Sequence, residues 1–381
     1  MNFIALAYTV PMRLIPFLTA ILALASSSLA AKIEGVYVGT LGQTSVVFKL
    51  EKPGGTDLSG VYFYRNYARD IQLSGTLSAS GLTFEERGLY GADSKAKLSL
   101  KPQATGFSGT WTDLKSGKSL PVALRAVTPT DLNAVKLPST PLLRKWKLEE
   151  PYEYLRFAMP LAAGKSEQFN GKPVRWSIEL KSKILFFRLP QQSKAVNDAL
   201  TDEHYLMASN ALQCPNDSDD GFTFDPKIVL YSKRILSITG PVYYDCGGVH
   251  PDGYSENLTL DLQTGNVLTL EDLYRFAAVP TGLNLKKQEP FELFSSYTQA
   301  QAVVLKKLIL QESKTFSTDA DPDCSDLYET GDVFQFISWY LTPEGLIVQP
   351  SFPHVAAVCE KDFLLPYAKL KAYLAVNSPL K

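Results

Sequence analysis

The sequence predicts a molecule in two parts. An all-β N-terminal domain, a small meander barrel or sandwich, precedes a C-terminal α+β domain in which a helix packs on a mixed sheet. Three observations carry this reading. From residue 32 to about 127 the chain breaks into short runs of alternating apolar and polar residues, separated by Gly- and Asp-rich turns. Beyond a Pro- and Thr-rich stretch, strand-like runs mix with helical ones. A length of 381 residues exceeds one ordinary small domain and suits two.

Taken in order, residues 1–30 read as an export signal. Arg13 supplies the positive charge, Leu14–Leu24 the apolar run, and Ser28-Leu29-Ala30 a small-x-small cleavage site. Cleavage is expected after Ala30, with Ala31 as the alternative, and translation from Met12 gives a signal of ordinary length. A retained anchor is the competing reading, but the apolar run falls short of the ~20 residues a span needs. No Cys at the cleavage point suggests a lipoprotein, and no later segment reads as a transmembrane helix. The expectation is a periplasmic or secreted protein with no membrane span after cleavage.

Residues 31–127 form the expected β-domain, with eight runs at near-regular spacing from Ile33–Gly39 to Leu120–Leu124. Gly35/Tyr37, Gly60/Tyr62 and Gly109/Trp111 each set a glycine near an aromatic. In a small barrel this pattern bends the wall and fills the core, and the competing reading is an aromatic ligand-binding mouth. Residues 128–146, with Thr128-Pro129 and Lys136–Pro141, read as a linker crossing the surface.

The second domain is expected over 147–381. Pro151–Phe157, Val174–Leu180, Lys227–Tyr231, Ile235–Thr239, Glu256–Leu262 and Val267–Leu270 read as strands, Ile184–Pro190 precedes a helix near Ser193–Leu200, and His204 reads as a helix or loop surface residue. Thr269 with Asp272 reads as the cap of a short helix. Ser296–Glu312 reads as a long helix with Ala300, Val303, Val304, Leu308 and Gln311 on one stripe. Phe334–Leu341 and Leu346–Pro350 read as a hairpin, and Phe363–Leu374 as a final helix or strand.

The formal net charge of -1 argues against a nucleic-acid partner, which would need a basic face. All four cysteines, Cys214, Cys246, Cys324 and Cys359, follow residue 210. An even count in an exported chain reads as two disulfides. Three pairings exist, and Cys214–Cys246 with Cys324–Cys359 closes the shortest loops. A zinc site is the alternative, but it lacks C-x-x-C spacing.

The richest stretch is Pro241–Tyr254, with Tyr243, Tyr244, Cys246, a double glycine, His250 and Tyr254. Tyr243, Tyr244, His250, Tyr254 and His354 are the candidate binding residues. His250 reads either as a base or metal ligand at a turn, or as a hydrogen-bonded residue that fixes a hairpin; no partner lies at ligand spacing. No Gly-x-Ser-x-Gly elbow is present, and paired cysteines leave no thiolate nucleophile. The acidic loops Asn216–Gly221 and Asp319–Asp326 offer hard oxygens, but the first lacks the closing bidentate Glu of a Ca²⁺ loop. No catalytic residue, metal or cofactor is therefore expected.

The order Tyr243-Tyr-Asp-Cys-Gly-Gly-Val-His-Pro251, then Asn257 through Thr264-Gly265 to Asp272-Leu273, then Leu341-Thr-Pro-Glu-Gly-Leu-Ile347 with Pro353-His-Val-Ala356, resembles the RsiV-like extracellular domain of unknown function. That family also occurs beside PdaC-type deacetylase N-terminal segments. The likeness covers about residues 150–375 and leaves the β-domain outside it. It implies a helix packed on a mixed sheet and, by analogy with lysozyme binding by RsiV itself, recognition of a protein or wall ligand. The chain departs from RsiV in lacking its cytoplasmic anti-sigma segment and retained transmembrane helix. The expected function is a non-enzymatic envelope binding module for a lysozyme-like protein or peptidoglycan. The alternatives are a cell-wall hydrolase or deacetylase-related enzyme, and a purely structural envelope protein.

Overall fold

A computed structural model describes residues 32–87, 94–157, 160–214, 221–247, 250–313 and 324–381. The expected signal segment lies outside the described residues, as do most of both acidic loops and Gly248-Val249 of the richest stretch.

The N-terminal strands are β1 (Gly35–Leu41), β2 (Thr44–Gly54), β3 (Asp57–Tyr64), β4 (Ile71–Ser78), β5 (Gly81–Glu86), β6 (Ala96–Gln103), β7 (Gly106–Asp113) and β8 (Ser119–Ala126). Each pairs antiparallel with the next, and β8 returns to β1 from Tyr37↔Ala126 to Leu41↔Val122. This is a closed meander barrel, which leaves no open edge. Alternation selects the interior: Tyr37, Leu41, Val46, Phe48, Tyr62, Leu98, Leu100 and Phe107 are buried together. The rings of Phe48 and Tyr62 stack at 4.5 Å. Tyr62 and Trp111 both donate to Oε1 of Glu86, so this enclosed carboxylate is satisfied. Tyr37 and Tyr62 thus serve the core rather than a ligand mouth.

The opposite phase of the same strands also works. Val38, Val47 and Phe63 face outward and share a second core with Leu143, Trp146, Tyr152, Leu155, Phe157 and Tyr205. The stretch 128–146 supplies part of that core, so the expectation of a surface linker is corrected. It folds as α1 (Pro129–Ala134) and α2 (Pro141–Glu149), followed directly by α3 (Pro151–Arg156). The Thr-Pro pairs that suggest a linker are helix starts. Thr140 accepts from the Leu143 amide, the Asp131 carboxylate accepts from the Thr128 amide and hydroxyl, and each proline occupies a first turn where no amide is needed. The strand reading of Pro151–Phe157 fails for the same reason, despite its β-favouring tyrosines.

Arg156, fully buried, ties the two parts together. Its guanidinium meets Asp70 Oδ1 at 2.9 Å and both oxygens of Glu153 at 3.0 Å, and donates to the Ala68 carbonyl at 2.6 Å. Tyr152 donates to Asp70 at 2.7 Å and Ser209 to Glu153 at 2.6 Å. The guanidinium also lies 4.9 Å from the Phe63 ring centre.

The C-terminal region combines helices with small sheets whose described pairings are antiparallel. β9 (Ala162–Phe169), β10 (Lys172–Ile178) and β11 (Leu185–Arg188) form one sheet. A 20-residue helix, α4 (Lys194–Gln213), follows, capped by Ser193. A second sheet holds β12 (Phe222–Phe224), β13 (Lys227–Tyr231), β14 (Ile235–Tyr244) and β15 (Asp252–Asp261). Val267–Leu270 is not a strand: Val267 makes one bridge to Leu260, and Thr269 with Asp272 forms the expected capping box of α5 (Leu270–Leu273). The long helix α6 (Phe291–Ser313) is present, but its buried stripe is Tyr297, Gln301, Leu305 and Leu308, with Val303 exposed. Buried Gln301 disguises the true phase. α7 (Cys324–Thr330) leads to a 3-10 turn at Asp332–Phe334, and the strand expected from Phe334 begins only at Ser338. The third sheet is β16 (Ser338–Leu341), β17 (Gly345–Gln349) and β18 (Phe363–Pro366), followed by α8 (Tyr367–Leu370). Disulfides join Cys214 to Cys246 and Cys324 to Cys359.

Candidate functional site

β14 and β15 pair without interruption from Ile235↔Asp261 to Tyr244↔Asp252. Alternation then decides where each tyrosine goes. Leu236, Ile238 and Val242 with Leu258 and Leu260 face α4 and are buried. Tyr244, Asp252, Tyr254 and Glu256 share their face. Ser237, Thr239 and Asn257 face the third sheet, where Asn257 donates to Ser338 and Gln349 and Ser237 accepts from the Leu341 amide. Tyr243 follows that second phase, beyond the edge of the third sheet.

The distal end of this hairpin is held from several sides. Cys246 is bonded to Cys214 at the end of α4, and the Asp245 amide donates to the Gly221 carbonyl at 2.7 Å. Gly247 turns the chain at φ +83, a conformation that a side chain would strain. Tyr244 donates to Asp252 at 3.3 Å, and its ring lies edge-on to Tyr254 at 6.3 Å. On this fixed frame Tyr243 and Tyr254 remain 46% and 43% exposed.

The face toward α4 brings two carboxylates into one electrostatic field. Glu203 lies three residues past buried Leu200 on α4, and Glu256 lies in phase with Leu258 and Leu260 on β15. Burial, then the Glu256 charge, then Asp202, push the Glu203 carboxyl up to about 8. Burial raises Glu256 as well, and Tyr254 is raised to about 12 by burial and by both glutamates. Oε1 of Glu203 is enclosed without a hydrogen-bond partner. Burial and the Glu256 charge thus favour the protonated form of Glu203, a condition suited to giving and taking a proton.

The structure gathers Tyr243, Tyr244 and Tyr254 at one hairpin end. His250 is exposed in the connecting loop, with Nδ1 3.3 Å from the Pro251 carbonyl oxygen. His354 opens a 3-10 turn, His354–Cys359, and its side chain lies outside the described residues. His204 is not a surface residue: it is fully buried in α4, with Nε2 2.8 Å from the Ile184 carbonyl oxygen, and burial followed by the Arg188 charge lowers its pKa to about 3. Among the described residues no group of His, Cys, Asp and Glu could hold a metal ion. Glu203 and Glu256 are absent from the residues singled out by sequence. The usable signal was the alternation Tyr254-x-Glu256-x-Leu258-x-Leu260, which sets a carboxylate on a buried phase.

No protein-family model matches the chain, and no curated protein matches it either. Solved structures similar to it include a DUF3298 family protein from Pseudomonas aeruginosa, at 17% identity over 40% of this chain and a TM-score of 0.21. The chain spans 62% of that protein's length. A likeness this slight carries no argument about fold or activity.

Proposed function

We propose that the protein is an exported binding module of the cell envelope, and that it engages its partner through the end of the β14–β15 hairpin. The observation that carries the reading is a hairpin end, fixed by a disulfide, that exposes one tyrosine on each of its faces, Tyr243 on one and Tyr254 on the other. Tyrosine offers large contact area at low entropic cost, and a rigid backbone lowers that cost further. The resemblance to the RsiV-like domain suggests a lysozyme-like protein or peptidoglycan as partner. Export accords with the N-terminal signal pattern and with two disulfides, bonds that persist in oxidising compartments. The test is titration calorimetry with lysozyme and sedimentation with insoluble peptidoglycan. Binding to one of them that drops at least ~10-fold in Tyr243→Ala/Tyr254→Ala supports the reading, since buried tyrosines often act as hot spots. No binding to either partner at micromolar concentration removes it.

A second reading, a wall-cleaving or deacetylating enzyme, draws on Glu203 and Glu256. A protonated acid beside a carboxylate is the pairing that glycoside hydrolysis uses. Release of soluble fragments from peptidoglycan, abolished in Glu203→Gln, would select it; equal release by the variant would exclude it.

A further inference from the structure

The outer wall of the barrel carries a cleft of about 550 Å³, within the size range of small-molecule sites. Its floor follows from strand register. Ser108 pairs with Ala123, Ala123 with Thr40, Thr40 with Ser45, and the Arg65 amide donates to the Ser45 carbonyl. These residues form one transverse row, and partners in an antiparallel ladder share a face. The row is outward, because the neighbouring positions Tyr37 and Leu41 point into the barrel. Its side chains are small and mostly hydroxylated. Gly39 lets β1 and β8 approach closely beneath it, since a Cβ there would stand 1.8 Å from the Ala123 carbonyl oxygen.

Charge frames this floor. Arg125 pairs with Val38 across the ladder and lines the cleft beside Arg65 and Asp131. Both oxygens of Asp131 are already engaged by Arg125, at 2.6 and 2.7 Å. The Arg65 guanidinium is half-buried and makes no hydrogen bond or ion pair among the described residues. Two guanidinium groups against one carboxylate leave a net positive charge over a row of hydroxyls. Burial, partly offset by Asp131 and reinforced by Arg125, lowers the pKa of Arg65.

We propose that this cleft binds a small polyhydroxylated anion of monosaccharide size, its carboxylate or phosphate held by Arg65 and Arg125 and its hydroxyls by Thr40, Ser45 and Ser108. Arginine favours such oxyanions through paired N–H donors. The volume exceeds the needs of a bare anion. The site is remote in sequence from the hairpin tyrosines and stands independently of the reading above.

The test is titration calorimetry of the full disulfide-bonded protein with D-glucuronate and with D-glucose 6-phosphate, against glucose and inorganic phosphate. Binding of at least one anionic sugar below about 10 mM is expected. Whichever of the two binds more tightly identifies the headgroup. Arg65→Met should weaken it ~10-fold or more, the usual loss for a charge-assisted bond. The variant's urea midpoint should not fall, because Arg65 has no ion pair to lose. No binding by either anionic sugar, equal binding of glucose, equal binding of inorganic phosphate, or unchanged affinity in folded Arg65→Met would each overturn the proposal.

Discussion

Replacing Arg156 with methionine tests how the barrel is joined to the rest of the chain. Methionine keeps much of the side-chain volume and removes the charge. Asp70 and Glu153, both enclosed against the guanidinium at 2.9 and 3.0 Å, then face each other without their cation. Breaking a buried ion network from one side costs about 3–5 kcal/mol. The Ala68 carbonyl also loses its donor, worth about 1 kcal/mol more. Urea unfolding followed by circular dichroism and by tryptophan fluorescence reads the sum. The expected loss is ~5 kcal/mol at pH 7, most of it recovered when Asp70→Asn and Glu153→Gln are added, because no charge is then left unpaired. A loss under ~1 kcal/mol, or no recovery in the triple variant, would refute the reasoning.

Two buried carboxyls and one disulfide give three further expected outcomes. Burial raises the Glu153 carboxyl, but the Arg156 charge and hydrogen bonds outweigh it, so the net pKa is lowered. Its contribution is complete above its unfolded value near 4.5 and is lost as pH falls through the folded value; acid titration of the urea midpoint should show that loss, and Glu153→Gln should remove it. Glu203 has the opposite sign: raised to about 8, it makes the folded state bind more protons, so stability falls as pH rises from about 4.5 to 8, and Glu203→Gln should lie close to the parent at pH 5 yet exceed it by ~4 kcal/mol at pH 9. Removing the Cys214–Cys246 bond, which spans 32 residues, through paired serines should cost ~3–4 kcal/mol and increase hydrogen exchange at residues 243–254; unchanged exchange would show that the hairpin end is fixed by other contacts.

Legibility in the sequence followed physical scale. The barrel strands were readable because period-two alternation is written locally, in runs such as Lys97-Leu-Ser-Leu100. Thr269 and Asp272 were readable because a capping box lies within one helical turn. Thr128-Pro129 and Thr140-Pro141 suit a linker and a helix start equally, and only the tertiary contacts of Leu143 and Trp146 choose between them, while the β-favouring tyrosines of Pro151–Phe157 hide a third helix start. His204 was misplaced because its surroundings, Ile184, Phe186 and Arg188, come from a separate strand. The tyrosines of the candidate site were visible as a local cluster. Glu203 and Glu256 were not, since their proximity depends on how a helix crosses a sheet some fifty residues away in sequence.

The double-sided wall of the barrel has a consequence for how this gene can be divided. Its ladder of hydrogen bonds is complete within residues 35–126, which makes it look like a portable cassette. Its surface is not complete, because Val38, Val47, Phe63 and Ala68 are covered only by segments encoded downstream. A fragment ending at residue 127 would present that greasy patch to water, and it would also leave Asp70 without Arg156. The workable cut for a fusion or a truncation therefore lies beyond α4, whose Leu212 carbonyl receives the Asp70 amide, and not at the visible end of the last barrel strand.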